Sequence, residues 1–128
     1  MRFLLDTHSL LWFLMGHPSL SERARLKIES LDYEIWVSVA SLWEIAIKQS
    51  LGKLHLTRPF EKIFPAQLAA NSIEVLSIRP EHLAVIAQLP FHHRDPFDRL
   101  LAAQALTEKI PILSADDALD AYGVERIW

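Results

Sequence analysis

The chain begins with a short apolar run, Phe3-Leu4-Leu5, that stops at a carboxylate, Asp6. A run of this length without polar alternation is typical of a strand buried on both faces of a parallel sheet. In open α/β sheets, the ligand crevice lies beyond the carboxyl ends of the strands. Asp6 is therefore predicted to be either a functional acid at that edge or the N-cap of the helix that follows.

Hydrophobic periodicity divides the chain into alternating strands and helices. Strands are predicted over residues 2–5, 34–38, 73–78, 110–114 and, at an edge, 124–128. Helices are predicted over residues 10–15, 19–31, 39–51, 80–89, 96–109 and 118–122, and a helical segment over 59–71 is expected to break or divide at Pro65. The second helix is predicted to bury Leu20, Ala24, Ile28 and Leu31. This alternation indicates an α/β fold with a parallel or mostly parallel sheet, and the length suits one domain over residues 1–128.

Composition narrows the class of protein. Apolar residues make up 51% of the chain and charged residues 23%, as in globular domains, and no apolar stretch is long enough to span a bilayer. The absence of cysteine excludes disulfides and thiolate metal sites and fits a reducing compartment, so we expect a cytoplasmic protein. A net charge of -3 argues against nonspecific electrostatic binding of nucleic acid by the whole protein surface. A local basic rim stays possible, and its candidates are Lys48, Lys53, Arg94 and Arg99.

The helix predicted over residues 39–51 is apolar nearly all round and is therefore expected to be mostly buried. Its narrow polar stripe consists of Ser41, Glu44 and Lys48. Two structural explanations exist, a capping box formed by Ser41 and Glu44 or an exposed ion pair between Glu44 and Lys48. Ser38 is the better N-cap, however, which places Glu44 in the second turn, where it caps nothing. We therefore favour a functional role for Glu44.

Another helix start lies at Asp95-Pro96, with Asp as N-cap and Pro at the first helical position. Asp98 differs from Asp95, because it shares a helix face with the apolar residues three, four and seven positions later. A carboxylate on that inward face needs a partner or a metal. The neighbouring His92 and His93 lack the spacing of a zinc site and are interpreted as loop residues.

A parallel sheet brings several acids to one edge. Asp6 and Asp116 follow the carboxyl ends of predicted strands, which lie at that edge. Glu44 comes near the start of a helix that directly follows a strand, so it should lie at the same edge. Asp98 joins them if its helix begins near the cleft. Either Asp116 or Asp117 is also a candidate cap for the last helix. Converging carboxylates repel one another unless a hard cation such as Mg²⁺ or Mn²⁺, which prefers oxygen ligands, lies between them. Such a site suits hydrolysis of a phosphodiester.

Four motifs in this order resemble the PIN-domain endoribonucleases, in particular the VapC-like toxins of type II toxin–antitoxin modules. They are LLDTH at residues 4–8 with Leu11-Trp12, SVASLWEI at 38–45, HRDPFDRLLAAQA at 93–105 and LSAD at 113–116. The resemblance extends to the closing Ile127-Trp128. It implies a PIN-like fold, with a central parallel five-stranded sheet flanked by helices.

The resemblance also implies an activity and its residues: a ribonuclease dependent on Mg²⁺ or Mn²⁺, with Asp6, Glu44, Asp98 and Asp116 as catalytic and metal-binding acids. Thr7 and Ser114 match positions with supporting polar contacts, and Asp95 is an additional acid of this branch. Arg99 has two alternative predicted roles: it contacts an RNA phosphate at the lip of the cleft, or it pairs with a nearby acid. The expected partners are an RNA substrate, a cognate antitoxin and a second copy of the chain in a homodimer.

Two other interpretations fit part of the sequence. Phosphoaspartyl transfer of the haloacid-dehalogenase type also begins with a strand ending in Asp, but that family needs a second Asp where His8 stands. It would also leave Glu44 and Asp98 without a role. A non-catalytic PIN-like binding module would be supported by a missing acid, and none of the four is missing.

Overall fold

The fold is built on one parallel sheet of five strands in the order β3-β2-β1-β4-β5. A computed structural model describes residues 1–92 and 95–128. The strands are β1 (Arg2–Leu5), β2 (Glu34–Ser38), β3 (Ile73–Leu76), β4 (Ile112–Leu113) and β5 (Arg126–Ile127). The predicted class, an α/β protein with a parallel five-stranded sheet, is confirmed, and the first predicted strand is the central one. The last three strands are shorter than predicted.

Helices cover both faces of the sheet. They are α1 (Thr7–Met15), α2 (Glu22–Glu29), α3 (Val39–Ser50), α4 (Phe60–Ala70), α5 (Pro80–Gln88) and α6 (Pro96–Glu108), followed by a 3₁₀ helix (Asp117–Tyr122). Alternate residues of β1 feed two apolar cores: Phe3 and Leu5 pack in one, and Leu4 packs in the other. This alternation explains why the opening run has no polar residue. Within the described ranges, none of these helices has the length and apolarity needed to cross a membrane.

Local signals set most of the helix boundaries. The Ser21 and Ser38 side chains accept hydrogen bonds from the first turns of α2 and α3. Asp95 caps α6 by accepting from two backbone N–H groups, with Pro96 at the first helical position, as predicted. Helix α1 ends at Gly16, whose φ of 63° lies in the left-handed region that glycine adopts without a steric penalty.

One prediction about α4 and one about α2 are wrong. Residues 60–70 form one uninterrupted helix, although Pro65 lies inside it. Phe64 and Leu68 are buried on either side of the proline and fix the segment to the core, and this packing outweighs one missing backbone hydrogen bond. Leu31 is not a core residue but is 99% exposed, because α2 ends at Glu29 before reaching it.

Helix α3 presents an unexpected face to the protein interior. Its polar residues Ser41 and Glu44 are only 1% and 6% exposed, whereas Trp43 is 56% exposed. The expectation that this apolar helix would be mostly buried is therefore wrong for Trp43 and for Val39, which is 38% exposed. The buried polar face packs toward α1, where hydrogen-bond partners are available for both buried side chains.

Candidate acidic site

Asp6 is held at the carboxyl end of β1 by hydrogen bonds to both of its carboxylate oxygens. Oδ1 accepts from the Ser9 N–H at 2.9 Å and so caps α1, while Oδ2 accepts from the Ser114 hydroxyl at 2.5 Å. The side chain is buried. The predicted cap is thus confirmed, and the cap occupies only one of the two oxygens. The other oxygen faces β4, the neighbouring strand at the predicted edge.

Ser114 joins Asp6 to Asp116. Its hydroxyl donates to Asp6 and accepts from the Asp116 N–H at 3.0 Å, and its side chain is fully buried. Of the two candidate caps, Asp116 is the one that caps the 3₁₀ helix, by accepting from the Ala118 N–H at 3.0 Å. One hydroxyl group therefore connects the Asp6 carboxylate to the backbone of Asp116, whose own carboxylate caps the 3₁₀ helix.

Thr7 makes the corresponding connection to Glu44. The buried Thr7 hydroxyl donates to Glu44 Oε1 at 2.7 Å and shares a second hydrogen bond, 3.0 Å long, with the Ser41 hydroxyl. The other Glu44 oxygen pairs with Lys48 at 2.8 Å. The predicted ion pair of α3 exists, but it is not the exposed pair considered above, because the Glu44 side chain is buried.

The first turn of α6 supplies the remaining two acids. Asp95 is the helix cap, and Asp98 lies one turn further on, partly buried. Helix α6 contacts α3 beside the acids, where the rings of Trp43 and Phe97 meet edge to face with centroids 5.3 Å apart. A groove of about 350 Å³ runs along this contact and is lined by Glu44, Ile47, Lys48, Leu51, Lys53, Asp95, Pro96 and Phe97. The helix that carries Asp98 therefore begins beside the helix that carries Glu44.

The two most buried acids differ in charge compensation. Glu44 has Lys48, whereas no Lys or Arg among residues 1–92 and 95–128 makes an ion pair with Asp6. In the same part of the chain, no three His, Asp or Glu side chains are grouped closely enough to hold a metal by themselves. Mg²⁺ is commonly bound through only one or two carboxylates and keeps several waters. The carboxylate and hydroxyl oxygens around Asp6 suit such an ion chemically.

Arg126 stabilises the turn on the far side of Ser114. Its guanidinium donates to the Ser114 carbonyl oxygen at 3.1 Å and forms a forked pair with the Asp120 carboxylate at 2.8 and 3.1 Å. The hydrogen bond from Arg126 lowers the pKa of Asp120, and the same contact raises the pKa of Arg126. This pair fixes the backbone from which the Ser114 hydroxyl reaches Asp6.

Arg99 has neither of the roles considered for it. Its guanidinium is buried and donates to the carbonyl oxygens of Pro90 at 2.9 Å and of Ile86 and Leu89 at 3.3 Å each. It also lies 4.1 Å from the ring centre of Phe91. The expectation of a rim position is wrong, and within the described residues Arg99 makes no ion pair with an acid. The carbonyl groups of Pro90 and Ile86 also accept the backbone N–H groups of His92 and Leu89, so Arg99 adds charged hydrogen bonds that fix the end of α5 to α6.

The loop before α6 contains the remaining predicted positions. His93 and Arg94, interpreted as a loop residue and a rim candidate, lie outside the described residues. His92 is exposed, and its ring contacts Tyr122 at 5.4 Å, consistent with a loop position.

Three residues of the site make contacts that the sequence did not predict. Ser9 is fully buried, donates its N–H to the Asp6 carboxylate and donates its hydroxyl to the Leu113 carbonyl oxygen at 2.9 Å. Its position three residues after Asp6 is the usual capping distance and was the available signal. Ser41 was noted in the polar stripe, with Glu44 as its partner in a candidate capping box, but its contact with Thr7 was not predicted. Arg126 gave no signal, because its partners Asp120 and Ser114 are brought to it only by the fold.

Comparison with known proteins gives a family and a set of similar folds. A family model described as "PIN domain" matches residues 3–125. Among solved structures, VapBC2 from Rickettsia felis, bound to a promoter DNA fragment, has a TM-score of 0.76 at 15% identity, covering 99% of this chain and 98% of that one.

Two further structures show the same likeness. FitAcB from Neisseria gonorrhoeae has a TM-score of 0.69 at 17% identity, covering 98% and 96% of the two chains. VapBC-1 from nontypeable Haemophilus influenzae has a TM-score of 0.68 at 15% identity, covering 99% and 97%. At these identities the likeness is one of fold. No match to a curated protein sequence was found.

Proposed function

Because this chain belongs to the PIN domain family, whose members are generally nucleases, we propose that it is a metal-dependent endoribonuclease. We also propose that it is the toxin of a type II toxin–antitoxin module, since its fold is shared with structures described as VapBC and FitAcB. Membership of this family removes the phosphoaspartyl-transfer alternative. A non-catalytic binding module is the alternative that the experiment below must exclude.

The observation that carries the proposal is the environment of Asp6. This carboxylate is buried at the carboxyl edge of the central strand, with two hydrogen-bond donors and, within the described residues, no cationic side chain paired with it. Burying an ionised carboxylate is costly unless a cation or sufficient donors compensate its charge. The two donors offset part of this cost, and a ligand that supplies positive charge would offset the rest.

Mg²⁺ or Mn²⁺ would be bound by Asp6 and by water molecules, and Asp116, Glu44 and Asp98 would contact the ion directly or through those waters. Such an ion supplies Lewis-acid stabilisation of the charge that develops on a phosphodiester. The chain's own hydroxyl groups have a positioning role. Thr7 orients Glu44, and Ser114 orients Asp6. Both hydroxyls are buried, so neither carboxylate has to be ordered again when substrate arrives.

The partners follow from the same proposal. A cognate antitoxin would inhibit by covering the acidic site, and one of its Arg or Lys side chains would replace the charge of the metal beside the carboxylates. A second copy of the chain would complete a homodimer. Specificity would come from the shape of an RNA loop with unstacked bases, because phosphate contacts carry little sequence information.

The direct experiment is cleavage of a stem-loop RNA by the purified chain, with Mg²⁺, with Mn²⁺ and with EDTA. We expect cleavage in the loop that needs the metal and is nearly abolished by Asp6→Asn. Asparagine keeps the volume of Asp6, accepts from the Ser9 N–H and can donate to the Ser114 hydroxyl, so the variant should fold. Asp32→Asn, which changes an exposed acid, is the matched control.

Three results would contradict the proposal. They are cleavage that survives in Glu44→Gln, cleavage of fully paired duplex as readily as of loops, and tight RNA binding without any cleavage, as expected of a binding module. The toxin role is tested separately by inducing the chain in cells with and without the neighbouring small open reading frame. We expect growth arrest that the co-expressed partner relieves and that Glu44→Gln abolishes.

A further inference from the structure

A pair of aromatic rings, one exposed and one half-buried, lies beside the acidic site where α3 and α6 meet. Trp43 is 56% exposed on α3, and its ring meets the ring of Phe97 on α6 at 81° with centroids 5.3 Å apart. Each aromatic residue directly precedes a candidate acid, Glu44 or Asp98. The pair is therefore fixed at a short distance from the proposed site of cleavage by the same two helices that carry the acids.

The groove beside this pair has two lysine side chains in its wall, together with two acids and one aromatic ring. Phe97 forms part of its wall, and Lys48 and Lys53 line it together with Glu44. Lys48 is paired with Glu44, whereas Lys53 is exposed and makes no ion pair within the part of the chain that is described. An aromatic surface next to a cation is the combination that binds unpaired nucleotides, because bases stack on rings and phosphates pair with ammonium groups.

We propose that Trp43 and Phe97 form a platform on which an unpaired base of the RNA stacks, while Lys53 contacts a flanking phosphate. This inference rests on the proposed ribonuclease function and assigns it residues that select substrate. Trp43 provides the exposed surface, and Phe97 fixes the orientation of its ring. A base inside a duplex cannot reach the platform, since both of its faces are already stacked. The platform would therefore select loops.

The charges in the groove favour RNA over a second copy of this chain as the occupant. Charged residues are depleted from the centres of protein–protein interfaces, and this groove has Glu44, Lys48, Lys53 and Asp95 in its wall. Pockets that hold small ligands enclose about 300–1,000 Å³, and the groove, at about 350 Å³, lies within that range.

The test measures binding without cleavage. A fluorescent stem-loop RNA, and the same RNA with abasic sites in its loop, are titrated with protein in EDTA, and binding is followed by anisotropy. Trp43→Ala should weaken binding of the intact loop by about five- to a hundredfold, the range found when one stacked base loses its aromatic partner. It should hardly change binding of the abasic loop. Trp43→Phe should restore much of the difference.

Matched controls separate stacking from general damage. Leu83→Ala removes a similarly exposed apolar side chain from α5 and should leave both affinities unchanged. Lys53→Ala should reduce the slope of log affinity against log salt by about 0.7, the value for one phosphate of a single strand. Lys62→Ala, an exposed lysine on α4, should leave that slope unchanged.

Each outcome decides the question. Loss of affinity confined to the intact loop supports the platform. Equal effects of Trp43→Ala on both RNAs, or no effect on either, overturn it and leave the ribonuclease proposal standing if wild type still cleaves. A change from dimer to monomer in Trp43→Ala, without a selective effect on the intact loop, also overturns it and assigns the surface to a second copy. Failure of wild type to bind either RNA in EDTA overturns the platform, and the proposed function falls with it only if wild type also fails to cleave the RNA with Mg²⁺ or Mn²⁺.

Discussion

Replacing Arg99 with methionine tests whether this arginine is a structural clamp or an RNA contact. Methionine keeps most of the apolar stem and removes the guanidinium. Loss of the guanidinium removes three hydrogen bonds to carbonyl oxygens, one of 2.9 Å to Pro90 and two of 3.3 Å to Ile86 and Leu89. It also removes the contact with the Phe91 ring. The substitution would therefore remove the hydrogen bonds by which Arg99 of α6 holds the end of α5.

The expected decrease in stability follows from those interactions. Hydrogen bonds from a charged donor are worth about 1.5–3 kcal/mol each, and the two long bonds belong at or below the weak end of that range. The cost of burying the guanidinium, which methionine avoids, offsets part of the sum. We therefore expect Arg99→Met to lower the free energy of unfolding by about 2–4 kcal/mol. In a domain of this size, that corresponds to a fall in Tm of about 6–16 °C.

The assay is equilibrium unfolding in urea, together with RNA binding over a range of salt concentrations. Arg99→Lys should recover less than half of the decrease, because an ammonium group cannot reach several carbonyl oxygens in a fixed fork. Arg23→Met, at an exposed position of α2, should change the free energy of unfolding by less than about 0.5 kcal/mol. If Arg99→Met is as stable as wild type and its RNA affinity depends less on salt, Arg99 does not fix α5 to α6 but contacts RNA phosphate.

Three further predictions concern the acids. Mg²⁺ or Mn²⁺ should raise Tm in a thermal melt, by an amount equivalent to about 2.7 kcal/mol when the metal concentration is a hundred times Kd. Asp6→Asn should remove most of this shift. Equal shifts in wild type and in Asp6→Asn would reject Asp6 as a metal ligand. Asp95→Ser should keep the cap of α6 and much of the ribonuclease activity, and should lower the free energy of unfolding by less than about 1 kcal/mol. Asp98→Asn should stay folded and lose nearly all activity. The opposite result in unfolding and cleavage assays would assign the catalytic role to Asp95. The pKa of Asp120 is lowered by its hydrogen bond with Arg126, so this pair stabilises the fold above the ordinary aspartate pKa of about 3.9 and loses that contribution as pH falls through the lowered value. Asp120→Asn should therefore flatten the dependence of unfolding free energy on pH below about 4, and unchanged acid unfolding curves would show that the pair contributes nothing.

The order and kind of the elements could be predicted from the sequence, because the signals for them are local. The opening apolar run identified the central strand, and Ser38, Asp95-Pro96 and Gly16 marked helix boundaries that the structure has. Each signal depends on the backbone groups of a few neighbouring residues. Parallel strands then required the acids at the ends of β1 and β4 to meet at one edge, whatever the details of packing.

Local signals could not predict which face of α3 packs against the protein interior. Periodicity shows which residues share a face, but a helix that is apolar nearly all round has several faces able to pack in a core. The choice was made by hydrogen bonding, since Ser41 and Glu44 find the Thr7 hydroxyl on α1 only when the polar face turns inward. Trp43 was placed at the surface as a result.

The sequence by itself determined which acids stand at strand ends and helix starts. Tertiary structure alone decided how they are held: Thr7 reaches a residue 37 positions later in the chain, and Ser114 reaches Asp6 across 108 positions. It also assigned Arg99 to carbonyl groups of the preceding helix rather than to the surface. The physical reason is that a buried polar group must be satisfied by whichever partner the packed chain brings within about 3 Å, and sequence spacing carries no record of that distance.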